Sequence, residues 1–341
     1  MSNNTTNYMS PWIYTTTDCN LKCPYCYVKQ DGQVMSEETY QKVNEFSLRM
    51  LETGEKDFIG YRLAGGEPLL VFNKWKPYME DFLNKAGDKG KVTVVTNLTC
   101  LTDEMLEYFQ QFPYVFSVSL DGFSYSKPFH NGNSSAEIVK KNVDRLLAIG
   151  KQVGISSVID KNSFSDLDKL AEWVADRDLP WGVTLDHFFC GEMSFEVIVE
   201  KMLDVLDILD EKGFDIENKF RFNNIMINTL YEGCTAGEKL ITVFVNGDIF
   251  PCQTTIYKYP ICNIFDTDNI IEELRKQNKY KLGYNYCLPE KCKGCAIADI
   301  CGGGCKENNK EINKNYTCDI LRAVIYYMLK LVVKRESRKE R

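Results

Sequence analysis

The sequence lacks three features that mark other classes of protein. It contains no run of about 18 apolar residues, which excludes a membrane-spanning helix. Residues 1–10 are polar, so no secretory signal peptide is recognisable. Positive charge is not in excess either, because 41 basic and 48 acidic side chains leave a formal net charge of −7, which disfavours nucleic acid as the main partner. We therefore expect a cytoplasmic protein that acts on neither membrane nor nucleic acid.

Histidine is scarce, whereas cysteine is abundant. Only two histidines, His130 and His187, accompany 14 cysteines among the 341 residues. Disulfides are disfavoured in the cytosol, so the excess of cysteine indicates metal or redox chemistry. Three cysteines lie at positions 19, 23 and 26, and nine lie between Cys234 and Cys318 inclusive. This distribution predicts two separate metal-binding regions.

Between these two regions, short apolar or β-branched runs alternate with longer segments of helical periodicity. This alternation is typical of βα units and a parallel sheet. Six units are too few for a complete eight-stranded barrel, so we predict an α/β fold built on a partial (β/α)6 TIM-like barrel, with its ligand site at the C-terminal ends of the strands. The predicted strands are 12–16, 58–63, 92–96, 115–120, 154–159 and 182–186, and the predicted helices are 36–51, 73–86, 103–112, 135–149 and 163–178.

The same pattern predicts the domain organisation. The barrel is expected over residues 8–213, followed by a bridging segment at 214–233. A cysteine-rich domain at 234–318 opens on a β-hairpin, because Asn246-Gly247 is a strong hairpin signal. A C-terminal helix with a basic tail then occupies 319–341. The glycines and cysteines of 287–318 replace a hydrophobic pattern, so this segment is expected to need metal in order to fold.

Four predicted strands are followed by polar or glycine-rich motifs. Because parallel strands end at the same edge of a sheet, these motifs are expected to meet at one site. The motifs are the cysteine segment 19–26, Gly65-Gly66-Glu67-Pro68, Thr96-Asn97 and Ser119-Leu120-Asp121-Gly122.

The first cysteine motif has the spacing CxxxCxxC, formed by Cys19, Cys23 and Cys26. Three thiolates from one loop suit three corners of a cubane iron–sulfur cluster and leave the fourth iron free to bind a small molecule. The alternative is a structural zinc site, but zinc prefers four ligands in such sites and no histidine is near in the sequence.

With Tyr25 before its last cysteine, and with Gly-Gly-Glu-Pro one strand later, this motif resembles the radical S-adenosylmethionine (SAM) superfamily. The resemblance implies that the open iron binds the amino and carboxylate groups of SAM, and that reductive cleavage releases a 5′-deoxyadenosyl radical. It also implies that Gly65 and Gly66 allow close approach to the bound amino acid and that Glu67 binds its ammonium. Ser119 and Asp121 match positions that face the nucleoside and ribose, and Tyr25 matches one near the adenine.

The second cysteine region resembles the C-terminal extension called SPASM, which carries two auxiliary clusters on radical enzymes that modify peptides and proteins. The resemblance rests on Cys234, Gly247 and Cys252, followed by the spaced cysteines from 292 to 318. A zinc ribbon is the alternative for this spacing. The resemblance implies an outer cluster on Cys292, Cys295, Cys301 and Cys318, and an inner cluster on Cys234, Cys252 and Cys305, which makes three [4Fe–4S] clusters in all.

Two positions depart from the pattern of sulfatase maturases of this type. Leu240 stands where they have another cysteine ligand, so either Cys262 or Cys287 completes the inner cluster or one iron stays open to a substrate thiolate. Gln253 stands where they have an aspartate that serves as the base. An amide cannot take a proton at neutral pH. No catalytic base is identified, because His187 is as readily a structural histidine, and Cys100 and Cys190 have no spaced partner.

The resemblance predicts an enzyme that forms a thioether or carbon–carbon cross-link in a ribosomally synthesised peptide. A formylglycine-forming sulfatase maturase is the alternative enzyme, and a non-catalytic iron–sulfur electron-transfer or scaffold protein is the alternative from another class. The expected partners are the precursor peptide and a flavodoxin- or ferredoxin-like electron donor. Because the first strand begins near residue 12, a leader-binding winged domain is not expected before it, and the leader is expected to be bound elsewhere or by a separate protein.

Overall fold

A computed structural model of the chain describes residues 7–124, 127–186, 193–229, 234–258, 260–266, 270–276, 290–305 and 314–339. All six predicted strands are confirmed, and they lie side by side, parallel, in chain order. Alternate side chains on these strands are buried, as expected for strands covered by helices. The strands are β1 (Tyr8–Thr16), β2 (Phe58–Gly65), β3 (Gly90–Thr96), β4 (Tyr114–Ser119), β5 (Gln152–Ile159) and β6 (Trp181–Leu185).

The sheet is longer than predicted. β7 (Phe220–Phe222) pairs parallel with β6, and β8 (Leu240–Val243) pairs parallel with β1, so eight parallel strands rather than six lie in the described part of the chain. β9 (Asp248–Phe250) and β10 (Cys262–Asn263) add antiparallel strands beside β8. The predicted hairpin is therefore present, but its strands belong to the same sheet as the barrel strands. The sheet thus includes residues on both sides of the predicted domain boundary at 234. Strands of two to four residues are too short to produce a periodic signal.

Ten helices surround the sheet in the described residues. Helices α1, α3 and α6 begin after a hydroxyl side chain that accepts a backbone N–H of the first turn, which satisfies an otherwise unpaired donor. The helices are α1 (Glu37–Glu52), α2 (Phe72–Ala86), α3 (Asp103–Gln111), α4 (Ala136–Ala148), α5 (Leu167–Asp176), α6 (Phe195–Glu211), α7 (Ile216–Lys219), α8 (Ile270–Lys276), α9 (Ala298–Cys301) and α10 (Lys314–Lys339).

The main core lies between the sheet and these helices. Trp75 and Trp181 are almost completely buried, and each fully buried large apolar side chain stabilises the fold by about 1.5–3 kcal/mol. A second, smaller apolar cluster joins residues near the first cysteine motif to the β8–β9 hairpin. We call it the loop–hairpin cluster, and it contains Tyr14, Val28, Phe244, Val245, Phe250 and Ile256.

The C-terminal helix α10 packs on α6. The Tyr327 hydroxyl donates to Asp207 Oδ1 at 2.6 Å, and Arg335 contacts the carboxylate and the carbonyl oxygen of Asp210. The helix begins at Lys314, before the predicted start at 319. Within the described ranges, no helix combines the length and the apolar character needed to cross a membrane.

Candidate functional site

The motifs that follow β1, β2 and β3 meet at one edge of the sheet, as predicted. Gly66 N donates to Thr16 O at 2.8 Å, and Asn97 N donates to Glu67 Oε2 at 2.7 Å. Asn97 Nδ2 reaches Asn20 Oδ1 at 3.0 Å. The parallel register of neighbouring strands brings these segments together although they are distant in sequence. Asn20 and Asn97, for example, are 77 residues apart.

Gly65 and Gly66 lie directly against the chain that follows β1. A Cβ atom on Gly65 would lie 2.1 Å from the Thr16 carbonyl oxygen, and one on Gly66 would lie 1.9 Å from that of Asp18. Gly65 also has φ +129°, a backbone conformation that residues with a side chain rarely adopt. The glycines therefore have a structural role that the sequence did not indicate: they let the ends of β1 and β2 approach.

Glu67 is completely buried and its carboxylate joins β2 to β3. Oε1 accepts the Leu69 N–H at 2.9 Å and the Thr96 hydroxyl at 2.6 Å, while Oε2 accepts the Asn97 N–H. A carboxylate offers about four acceptor positions, so the three donors leave one position on Oε2. An ammonium ion that binds Glu67 would use this remaining position on a side chain that has no exposed surface in this structure.

Burial raises the pKa of Glu67 to about 7, against the effect of its three hydrogen bonds. At pH values between the ordinary pKa of a glutamate in the unfolded chain and this raised pKa, the folded protein binds more protons than the unfolded chain. The free energy of unfolding therefore falls as pH rises through this interval. We expect urea unfolding of the SAM-free protein to show a fall of about 2 kcal/mol between about pH 5.5 and pH 8 from this group. Glu67→Gln should flatten that slope, whereas Glu104→Gln, which changes an exposed glutamate, should not. Equal slopes in all three proteins would contradict the assignment.

The first cysteine loop places three thiols in one electrostatic environment. Burial, the largest cause, raises the pKa of Cys19 to about 12, and Glu67, Cys23 and Cys26 add to the rise. The Cys19 sulfur accepts the Leu21 N–H at 3.4 Å. Hydrogen bonds to sulfur and positively charged irons both stabilise a thiolate in such a buried loop.

The donor set of this loop fits an iron–sulfur cluster. Asn97 Nδ2 gives the Cys19 sulfur a second donor at 3.7 Å, and a turn brings Cys26 N to Cys23 O at 3.1 Å. In the residues whose positions are described, no three His, Cys, Asp or Glu side chains converge on a single metal ion. A cubane does not require such convergence, because each of its irons binds a different thiolate.

A buried lysine, which the sequence analysis did not identify, completes this site. Asp121 Oδ2 contacts the Tyr25 hydroxyl and lies 3.2 Å from Lys127 Nζ, which also contacts the Tyr25 hydroxyl. Asp121 Oδ1 accepts the Val158 N–H at 2.9 Å. Burial raises the pKa of Asp121, and the Lys127 ammonium opposes that rise. Tyr25 and Asp121 are thus brought together as predicted, but they bind each other and Lys127.

The segment that begins at Lys127 covers the cysteine loop. Lys22 N donates to Pro128 O at 2.9 Å, and Leu21 forms an antiparallel bridge with Phe129. His130 Nε2 lies 3.2 Å from the Cys19 carbonyl oxygen. A lone lysine after a strand carries no sequence signal, so only these tertiary contacts reveal its place in the site.

The remaining candidates near this edge are less informative. Ser119 is half-buried at the end of β4, opposite Ser156 of β5. Cys100 is half-buried in the turn after β3, where its pKa is raised, first by burial and then by Glu67. His187, Cys190 and Cys287 lie outside the described residues.

The predicted outer-cluster cysteines are close together in part. Burial raises the pKa of Cys301, and charges on Cys318 and Cys292 add to the rise, which places three of the four predicted ligands near one another. A turn brings the Cys295 N–H to the Cys292 carbonyl oxygen at 3.1 Å. Cys305 is exposed.

Among the inner-cluster candidates, Cys252 lies near the first cysteine loop. Burial raises the pKa of Tyr27 to about 12, and both Cys26 and Cys252 contribute to the rise. Cys262 has a different environment: burial raises its pKa to about 11, and the acidic residues Glu273, Asp266 and Asp248 add to this. Cys262 lies in β10, which β9 separates from β8 in the sheet.

Comparison with known proteins agrees with this arrangement. Residues 13–174 match the sequence profile of the Radical SAM superfamily. The chain is 20% identical to the radical SAM cyclopropyl synthase TigE of Paramaledivibacter caminithermalis, over 92% of this chain and 72% of that protein. It is 22% identical to a cysteine-type anaerobic sulfatase-maturating enzyme of Clostridium novyi, over 89% of each chain.

The fold is also known from a solved structure. Native anSMEcpe with bound AdoMet and Cp18Cys peptide superposes with a TM-score of 0.79 and 18% identity, over 96% of this chain and 99% of that one. At this identity the superposition establishes a shared fold. The profile match, which agrees with the cysteine loop and the strand-end motifs, shows that residues 13–174 form a radical SAM domain.

Proposed function

We propose that this radical SAM enzyme modifies a ribosomally synthesised peptide by forming a thioether or carbon–carbon cross-link. The radical SAM domain implies SAM and a [4Fe–4S] cluster, and the proposal adds two auxiliary [4Fe–4S] clusters. When bound, these cofactors would supply a 5′-deoxyadenosyl radical that abstracts hydrogen from the substrate. The solved relative anSMEcpe holds AdoMet and a peptide together, which supports a peptide as substrate.

The protein's own groups have distinct parts in this proposal. Cys19, Cys23 and Cys26 would hold the first cluster, and the clustering of thiols around Cys301 supports a second set of ligands. The residues proposed to bind or orient SAM are Tyr25, Gly65, Gly66, Glu67, Ser119 and Asp121, and the remaining proposed cluster ligands are Cys234, Cys252, Cys305, Cys292, Cys295 and Cys318.

The observation that carries the proposal is the environment of Gln253. Its amide oxygen is buried and has no hydrogen-bond partner within the described part of the chain, and the residue directly follows Cys252. A primary amide accepts hydrogen bonds but does not accept a proton at neutral pH. The position at which sulfatase maturases of the resembling type have a basic aspartate therefore holds a hydrogen-bond acceptor rather than a base.

Leu240 supports the same choice. It is the first residue of β8 and pairs with Ser10 of β1, so a ligand of the inner cluster is missing at a position that belongs to the sheet. Cys262 lies two strands away from Leu240 in the sheet, in β10, so its thiol does not stand in place of the missing ligand. We therefore propose that the inner cluster has an open iron unless Cys287 completes it.

Sulfatase maturation remains the second candidate. The similarity to the Clostridium novyi enzyme extends over 89% of both chains, and the fold of anSMEcpe covers nearly this whole chain. In that case the inner cluster would carry electrons away from a substrate radical, and a different residue would serve as the base.

The proposed organisation follows the regions at 8–213, 214–233, 234–318 and 319–341. We further propose a flavodoxin- or ferredoxin-like protein as electron donor and a separate protein that binds the leader of the precursor peptide. β7 of the second region pairs with β6, and β8 of the third region pairs with β1, so both regions share a sheet with the first.

Incubation with two peptides tests the proposal. A cysteine-containing precursor peptide, chosen from the genes beside this one, should lose hydrogen and keep its sulfur, because a cross-link retains it. Its Cys→Ser variant should lose cross-linking while some SAM cleavage continues. Mass spectrometry of the peptide and chromatography of 5′-deoxyadenosine give both results.

The enzyme variant Cys262→Ala should keep its full iron content and part of its turnover, since Cys262 is not expected to bind iron. Loss of iron from this variant would instead assign Cys262 as the closing ligand. Loss of sulfur from a sulfatase-derived cysteine peptide, without cross-linking of the precursor peptide, would favour the second candidate.

A further inference from the structure

Lys127 is a buried cation beside the first cysteine loop, and the proposed cofactor-binding set does not include it. Its side chain is 8% exposed, and its ammonium contacts the Tyr25 hydroxyl and the Asp121 carboxylate. The ammonium also lies 4.9 Å from the centre of the Tyr25 ring. Burying a charge is costly unless it is paired, so the contact with Asp121 is what permits a lysine here.

The backbone around Lys127 is held in an unfavourable conformation. Lys127 has φ +33°, which is uncommon for a residue with a side chain. Such a conformation persists where the surrounding structure fixes it, and it concentrates at functional sites. Here the contacts of Pro128 and Phe129 with the cysteine loop fix it.

The ammonium of Lys127 lies against the cysteine loop. It contacts the hydroxyl of Tyr25, which lies between Cys23 and Cys26 in the sequence. The carbonyl oxygen of the next residue, Pro128, accepts the Lys22 N–H at 2.9 Å, which fixes this segment beside the loop.

We propose that Lys127 is a positioning residue whose charge raises the reduction potential of the cluster held by Cys19, Cys23 and Cys26. The inference rests on the proposed ligand assignment. Reduction adds one electron, supplied by the flavodoxin- or ferredoxin-like donor, and therefore one negative charge to the cluster. A buried cation lowers the free energy of the more negative state, and more strongly than the same charge in water would.

Redox titration followed by electron paramagnetic resonance tests this role. The signal to follow is the one that changes when SAM is added, because the cluster held by Cys19, Cys23 and Cys26 is the one proposed to bind SAM. Lys127→Met keeps the length of the side chain and removes its charge. It should lower the ratio of reduced to oxidised cluster at a given potential about three- to tenfold, and tenfold corresponds to about 59 mV for one electron.

Two variants serve as controls for shape and for distance. Lys127→Arg keeps the charge, so its ratio of reduced to oxidised cluster should stay within about twofold of the wild-type ratio. The corresponding shift in potential is well below the roughly 59 mV of a tenfold change. Lys22→Met removes an exposed lysine next to Cys23, where solvent and salt screen the charge, and should also stay within that range. Asp121→Asn removes the opposing charge and should raise the ratio.

An unchanged ratio in Lys127→Met, or an equal shift in Lys127→Arg, would overturn the inference. If Lys127→Met assembles no cluster, Asp121→Asn decides instead. The inference is overturned if the ratio of reduced to oxidised cluster does not rise in Asp121→Asn. The variant with Cys19, Cys23 and Cys26 all replaced by Ala separates this failure from a failure of the ligand assignment. Persistence of the SAM-sensitive signal in that variant would contradict the assignment itself.

Discussion

Replacing Cys19, Cys23 and Cys26 together by Ala should remove about four of roughly twelve irons per chain and abolish formation of 5′-deoxyadenosine. The three thiols come from one loop, and their loss leaves no protein ligand for the first cluster. Anaerobic reconstitution followed by iron analysis and chromatography of the SAM products measures both effects.

Cys100→Ala is the matched control for this variant. Cys100 is half-buried near Glu67 at the same edge of the sheet, but it belongs to no spaced motif. It should keep its iron and its activity. Unchanged iron in the triple variant would contradict the first cluster, whereas about four irons in the wild type together with tightly held zinc would contradict the two auxiliary clusters.

Gly66→Ala should destabilise the protein by about 3 kcal/mol or more and abolish SAM binding. The new Cβ would lie 1.9 Å from the Asp18 carbonyl oxygen, a backbone atom that cannot move aside without separating β1 from β2. The hydrogen bonds from Gly66 N to Thr16 O and from Glu67 N to Asp18 O, each 2.8 Å, would be lost as well. Urea unfolding and calorimetric titration with SAM measure the two losses.

Gly60→Ala, in the same strand, is the control for the loss of a glycine. Its Cβ would meet only the edge of the Phe58 ring at 3.4 Å, which is an ordinary contact. This variant should unfold and bind SAM much as the wild type does. If Gly66→Ala were equally well tolerated, the close approach of β1 and β2 would not be a requirement of the site.

Most of the parallel sheet could be predicted because its strands are long enough to show a pattern. β3, for example, alternates buried and half-buried side chains over Gly90–Thr96. β7 was missed because Phe220–Phe222 is too short for such a pattern. β8 was expected as a strand of the hairpin, but its place in the parallel sheet was not. Their place in the sheet depends on pairing with β6 and β1, which are distant in sequence.

The candidate site could be predicted to the extent that its chemistry is local. The spacing of Cys19, Cys23 and Cys26 and the Gly-Gly-Glu-Pro motif each lie within a few residues. The partners of Glu67, by contrast, lie 29 and 30 residues away at Thr96 and Asn97. They meet the carboxylate only because β2 and β3 are neighbours in register.

The sequence by itself determined which chemistry the chain can carry: three closely spaced thiols, a carboxylate after a glycine pair, and a second cysteine region. These are properties of residue types and short spacings, which do not depend on how the chain folds. Only the tertiary structure decided that Lys127 lies against Tyr25, 102 residues away, and that β8 extends the sheet beside β1. A buried ion pair and a strand register arise from long-range packing, because both require segments distant in the chain to exclude water together.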